Sequence, residues 1–369
     1  MITALNHQEP DRVPIDLGGY QSGITTYAYG RLKEKLRITS PTQIMERNQQ
    51  LAEIEEEVLQ RFGVDTRYVF LQPSSSWDPQ ERPDNSYRGE WGTRWRKPES
   101  SFYYDPVEFP LTSASIKDLE TYSWPDSDDL SRVQGLREKA RLIRETTPYA
   151  LCTNVSGVFE QSWYLMGLER TLIEIKENPA LVENLLDKVL EIEIGIYGHF
   201  LNEVGDHLDL MELWEDISTQ NGPLIAPSAY REIIKPRTRE LIQFIRGKTK
   251  AKIALHSCGS VSWALEDLIE IGVEVLNPVQ VAAAAMDTRQ LKEKYGDRLS
   301  FWGGIDTQGV LPRGSVQDVR EEVRKRINDL APGGGYLMAA VHNIQPDVPP
   351  ENIIAMFEAC QEYGNYPSF

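Results

Sequence analysis

Short apolar runs separated by longer amphipathic stretches restrict this chain more than any other feature of its sequence. Eight runs have the length of strands: VPIDLG (13–18), TRYVFL (66–71), YALCTNV (149–155), HLDLMELW (207–214), AKIALHS (251–257), VEVLNPV (273–279), LSFWGGI (299–305) and GYLMAAV (335–341). Most are apolar at consecutive positions, so both faces need cover, which is the condition of a parallel strand flanked by helices. Apolar residues at helical spacing fill the intervals, as with Leu51, Ile54, Val58 and Phe62 in 51–62 and with Leu181, Val182, Leu185, Leu186, Val189 and Leu190 in 181–190. Gly63, Gly205, Gly272 and Gly296 stand just before strands, where helix C-caps belong. Strands alternating with helices, with no fixed repeat, predict a (β/α)8 TIM barrel of the α/β class, one domain over residues 1–369.

One stretch breaks the alternation. Residues 72–127 are rich in Pro, Ser, Trp and Asp and contain SYRGEWGTRWRKP, which reads as an inserted hairpin and lid between strands two and three. Insertions into such barrels usually sit on the face that carries the site. Trp77, Trp91, Trp95 and Tyr103 can wall a pocket for a flat ring or form the insertion's own small core.

Composition excludes some functions. A formal net charge of -17 is the wrong sign for a sequence-independent grip on nucleic acid or for an anionic membrane surface. Three cysteines are too few for a disulfide scaffold, and the first residues show no basic start leading into an apolar stretch. A cytoplasmic location is therefore expected, and an acidic barrel of this size is compatible with a homodimer. PGGGYLM (332–338) lacks the spacing of a phosphate loop and precedes a strand, so it reads as a turn.

In a (β/α)8 barrel the chemistry lies where the strands end at their C-terminal side. Those ends carry Tyr20 and Gln21 after strand one, and Glu212, Glu215 and Asp216 at strand four. They carry His256 and Cys258 at strand five, Asn277 and Gln280 at six, Asp306 and Gln308 at seven, and His342 at eight. His256 and Cys258 are two apart and so share a face of an extended chain. Two imidazoles and a thiol with an open fourth position match a catalytic zinc site, and Glu212 or Asp216 are candidates for the fourth ligand. A lone H-x-C is also compatible with a buried histidine and a small buried cysteine. Cys152 and Cys360 read as packing residues. Asn277, Gln280, Asp306, Gln308 and Trp91 are candidate substrate contacts, and Tyr20, Glu215 and Asp216 candidate proton carriers. Hydrogen bonding between strand ends is the alternative role for each.

These residues belong to a longer resemblance. DRVPIDLGG (11–19), FGVDTRYV (62–69), GEWGTRW (89–95), LHSCGSV (255–261), GVEVLNPVQ (272–280), FWGGIDTQGVLPRG (301–314) and PGGGYLMAAVHNIQPDVPPENI (332–353) resemble the uroporphyrinogen decarboxylase superfamily, whose fold is a (β/α)8 barrel. Its decarboxylases use no metal and bind a polycarboxylate with arginines just after strand one. Here DLGGYQSGITTYAYGR offers no arginine before Arg31. Its cobalamin-dependent methyltransferases carry zinc on an H-x-C pair, matched by His256 and Cys258, and on a third ligand at the end of strand eight, often Cys, where this chain has His342. The resemblance implies a zinc methyltransferase of the O-demethylase kind, taking a methyl group from a methoxylated aromatic or another methylated small molecule. The acceptor would be the Co(I) corrinoid of a partner protein, since no corrinoid-binding D-x-H-x-x-G is present. A methylcobalamin:thiol methyltransferase and a metal-free decarboxylase are the other readings.

Overall fold

The computed structural model describes residues 1–366. Seven of the eight expected strands form one parallel sheet in sequential order: Thr66–Tyr68, Ala150–Ser156, Leu210–Trp214, Lys252–His256, Val275–Asn277, Ser300–Ile305 and Tyr336–Ala340. The first apolar run closes the ring between the two edges. Ile15 bridges Met338 in parallel, the Asp16 amide donates to the Met338 carbonyl at 2.9 Å, and the Asp65 amide donates to the Ile15 carbonyl at 2.8 Å. The fold is thus the expected (β/α)8 barrel, with residues 13–17 as strand one.

Alternation of side chains fills the lumen. Cys152, Leu210, Ala254, Val275, Trp302, Leu337 and Ala339 pack into one buried cluster, and Leu5 of the N-terminal helix Ile2–Leu5 joins it. Two residues further along their strands, Asn154, Glu212, His256 and Asn277 point the same way, toward the mouth. The outer faces pack on helices, the longest being Pro179–Val204, whose buried stripe runs from Leu181 to Val204. Burying each of its Leu, Ile or Val side chains contributes about 1.5–3 kcal/mol. Cys360 is buried in the last helix, and Cys152 lies in the lumen, so both pack as expected. Among the described residues no helix is long and apolar enough to cross a membrane.

The expected helix over 51–62 is shorter. Only Glu56–Arg61 is helical, while Leu51–Ala52 pairs antiparallel with Ile44–Glu46. The Ala52 amide donates to the Ile24 carbonyl at 2.9 Å, so sheet-like pairing takes the backbone groups a helix would have used. All four glycines named above follow helices, and Gly63 and Gly272 do so with positive φ.

The insertion folds as a three-stranded antiparallel sheet, Ser86–Arg88, Arg94–Arg96 and Asp105–Glu108. It seats against the helix that follows strand three: Thr93 Oγ1 donates to the Tyr164 carbonyl at 2.5 Å, and Trp95 packs on Tyr164.

A buried lysine gives the fold one pH-sensitive tie. Lys33 is 3% exposed, and its ammonium bonds Glu55 and the Ser40 carbonyl. Burial alone would raise the Glu55 pKa, but bonds from Lys33, Tyr29 and Ser40 outweigh it and bring the group from 4.5 down to about 2. A carboxylate depressed in the folded state contributes stability that is whole above pH 4.5 and is lost as pH falls toward about 2. Denaturant midpoints measured across that range are expected to fall with acid in the native protein, and to fall less in Glu55→Gln.

Candidate metal centre

Strand five ends at His256, in register with Trp214 on strand four and Asn277 on strand six. The register puts the amide of Asn277 beside the imidazole: Asn277 Oδ1 lies 2.5 Å from His256 Nδ1. That contact commits Nδ1 and turns Nε2 toward Cys258, whose Sγ is 3.4 Å away. His342 arrives from the end of strand eight, its ring centroid 5.4 Å from that of His256. One donor atom from each of the three residues lies within 4.8 Å of the others.

The electrostatics suit a metal. Burial lowers the pKa of His256 to about 4 against the Asn277 contact, and burial with the neighbouring His256 lowers that of His342 to about 4, so both imidazoles are neutral near pH 7. Burial, then Asp216 and Glu160, pushes the Cys258 thiol well up, so it keeps its proton until a cation replaces it. Two neutral imidazoles and one exchangeable thiol are a borderline-soft donor set that fits Zn2+ and suits Mg2+ or Ca2+ poorly.

The loop carrying Cys258 leaves the strand sharply. Gly259 has φ +91, and a Cβ there would overlap the Thr219 carbonyl, so only glycine fits. Its amide donates to Gln280 Oε1 at 2.5 Å, and the Cys258 amide donates to Asp216 Oδ1 at 2.7 Å. Behind this loop stand three carboxyls, Glu215 and Glu160 buried and Asp216 half-buried. Glu215 accepts from the amides of Phe159 and Glu160 at 3.1 and 2.9 Å, at the start of helix Val158–Met166. A Cβ on Gly157 would strike that carboxyl, so the close approach needs a glycine. Burial raises Glu215 to about 7 despite the two amides. Glu160 Oε2 accepts from the Asp216 amide at 3.0 Å; burial and repulsion from Asp216 raise Glu160 well up, and burial raises Asp216 against the Cys258 amide and His342.

The structure sorts the expected residues. His256, Cys258 and His342 converge, while Glu212 does not join them. It sits one layer lower, beside Ala254, bonded to Asn154, with Oε1 unpartnered. Asp216 holds the Cys258 backbone. Asn277 orients His256 and Gln280 holds the loop, each through its carbonyl oxygen. Asp306 caps a turn, accepting from the amides of Gln308, Gly309 and Val310 at 2.8, 3.1 and 3.1 Å, and Gln308 is exposed. Tyr20 stacks on Phe70 with centroids 4.2 Å apart, and burial raises its phenol, which stays protonated. It serves as a wall. Trp91 stands with Tyr20 and Trp214 around a cavity of about 230 Å3 beside the cluster. A larger cavity, about 550 Å3, lies against strand two and the helices Glu56–Arg61 and Leu136–Thr146, and holds none of these residues.

Glu160 and Asn154 were missed from sequence. Both belong to the exit of strand three, in NVSGVFE (154–160), where the strand-end rule applied at the other strands would have found them.

A sequence model of a family described as uroporphyrinogen decarboxylase (URO-D) matches residues 104–363. The chain belongs to that family. Its curated relatives include the uroporphyrinogen decarboxylase of Methylococcus capsulatus, 25% identical over 194 residues, which are 52% of this chain and 51% of the relative. That of Alkalilimnicola ehrlichii is 24% identical over 268 residues, 69% of this chain and 68% of the relative. The chain therefore spans about half the length of the first of these and about two thirds of the second. Among solved structures, a methyltransferase from Methanosarcina mazei superposes with a TM-score of 0.67 at 17% identity, covering 98% of this chain and 97% of that one. At that identity the likeness is one of fold, and it covers the URO-D barrel from end to end.

The Asn277 contact is testable by itself. Asn277→Ala frees the His256 ring, and metal affinity is expected to drop about 10–100-fold. Competition against a chromophoric chelator measures it, with circular dichroism checking the fold.

Proposed function

We propose that this URO-D family member is a zinc-dependent methyltransferase, with His256, Cys258 and His342 holding the metal and a methylated small molecule as donor. The acceptor in this reading is the Co(I) corrinoid of a partner protein. The observation that carries it is the convergence of two imidazoles and one thiol at the barrel mouth, with Asn277 fixing the donor nitrogen of His256. When bound, zinc supplies Lewis acidity that improves a poor oxygen, nitrogen or sulfur leaving group.

The chain's own residues supply the setting. Cys258 gives up its proton on loading, and the Glu160–Asp216 pair, whose charges act on the thiol, is the candidate to take it. Tyr20, Trp91 and Trp214 wall the adjacent cavity with apolar rings, which orients a small substrate and excludes water.

The relatives' name favours decarboxylation as the second reading. Against it, Arg31 donates to the Pro346 carbonyl at 3.1 Å, so the first arginine after strand one is already engaged. The deciding assay gives zinc-loaded protein a reduced corrinoid and a panel of methylated phenols, amines and thiols, and follows the corrinoid spectrum. Zinc-dependent methylation is the expected result. Metal-independent release of CO2 from uroporphyrinogen, with no methylation of the corrinoid, would overturn the proposal.

A further inference from the structure

The cavity of about 230 Å3 contains a group that the methyl-transfer reading does not use. Glu193, on helix Pro179–Val204, is 1% exposed and lines that cavity. Neither of its carboxyl oxygens has a hydrogen-bond partner. The nearest hydroxyls each donate to a carbonyl, Tyr197 to that of Ser156 at 3.0 Å and Ser156 to that of Gly157 at 3.3 Å, while both lie close enough to Glu193 to ease part of its burial. The cation in the same wall is neutralised by its own partner, because Arg132 grips Glu90 with both terminal nitrogens, one at 2.8 Å, and only its Nε is left without an acceptor. Burial and the nearby Glu215 raise the pKa of Glu193 well above the usual carboxylate range, so it holds a proton, and an entering cation is what would draw that proton off and leave an ion pair. The remaining walls are the aromatic rings of Tyr20, Trp91, Tyr197 and Trp214. Aromatic rings around one carboxylate are the chemistry that recognises alkylated ammonium ions, with ring quadrupoles and an anion acting on the same charge. The volume admits a small molecule. Trp214 is also the cross-strand neighbour of His256, so the cavity abuts the metal cluster.

We propose that this cavity binds a small methylated ammonium ion, with Glu193 as its counter-charge and the Tyr20, Trp91 and Trp214 rings as its cage. That the ion is the methyl donor rests on the methyl-transfer reading above. The binding itself does not.

The test follows tryptophan fluorescence of the metal-free, full-length protein during titration with tetramethylammonium, and separately with 2-methoxyphenol, a neutral ring. Saturable quenching by tetramethylammonium is expected, with Kd raised at least about tenfold in Glu193→Gln while any response to 2-methoxyphenol is unchanged. No saturable response to tetramethylammonium, or equal affinity in the wild type and in a folded Glu193→Gln, would overturn the proposal. Should Glu193→Gln fail to fold, Trp91→Ala decides: weakened ammonium binding supports the cage, and unchanged binding overturns it. Cys258→Ala protein is expected to bind tetramethylammonium as the wild type does. Failure of the zinc reading and failure of this one are therefore read separately.

Discussion

Cys258→Ala is expected to purify with less than about a tenth of the zinc held by the wild type, which itself should carry close to one ion per chain. The reason is the small donor set. Among the described residues, only His256, Cys258 and His342 place donor atoms within 4.8 Å of one another, and Glu212 stands one layer lower in the barrel. Cys258 is also the only one of the three that contributes charge, so its loss leaves two neutral imidazoles in a buried pocket. Methyl transfer should fall about a thousandfold, since Lewis-acid assistance is worth several kcal/mol. A linked measurement separates metal loss from misfolding. A ligand present at about a thousand times its Kd stabilises the state that binds it by about 4 kcal/mol, so a chelator should lower the Tm of the wild type and leave that of Cys258→Ala unmoved. Zinc retained at wild-type stoichiometry in Cys258→Ala would remove the cluster from the mechanism.

The largest effect on stability is expected at Trp302. Its side chain is 1% exposed inside the barrel, and its Nε1–H donates to Asp16 Oδ2 at 3.0 Å. Asp16 is itself buried, with Thr66 and Tyr68 donating to its other oxygen at 2.5 and 2.8 Å. Trp302→Ala removes a large lumen side chain and a donor to a buried carboxyl together, at a cost of about 3–5 kcal/mol. Trp302→Phe keeps much of the volume and loses the donor, and should cost about 1–3 kcal/mol. Urea midpoints compared for the two variants separate packing from hydrogen bonding. A Trp302→Ala cost below about 1 kcal/mol would mean that the lumen collapses around the gap. Zinc content is expected to survive in both, because Trp302 packs in the lumen cluster with Ala254, two residues before His256 on its strand, and bonds Asp16.

Much of this was legible in the residues. Eight apolar runs gave eight barrel strands in the expected order, because a strand covered on both faces must be apolar along its whole length. His256, Cys258 and His342 were recognisable because strand ends bear a barrel's chemistry, and these are unusual side chains to find there. Asp306 and Gln280 show where such reasoning stops. Both sit at strand ends, yet each serves the backbone, Asp306 by capping a turn and Gln280 by holding Gly259. A side chain's type states what it can bond, and only its neighbours decide what it does bond. Residues 51–62 make the same point for local structure, since helical spacing yielded to pairing with segments near residues 24 and 44.

The barrel, the insertion and the candidate donors at the strand ends could be read along the chain, because periodicity and residue chemistry are local properties. Tertiary structure alone decided that Asn277 orients His256, that Glu160 faces Asp216, and that Glu193 stands unpartnered in an aromatic cavity. Each of those facts is a distance between elements far apart in the chain, and no pattern of spacing encodes it.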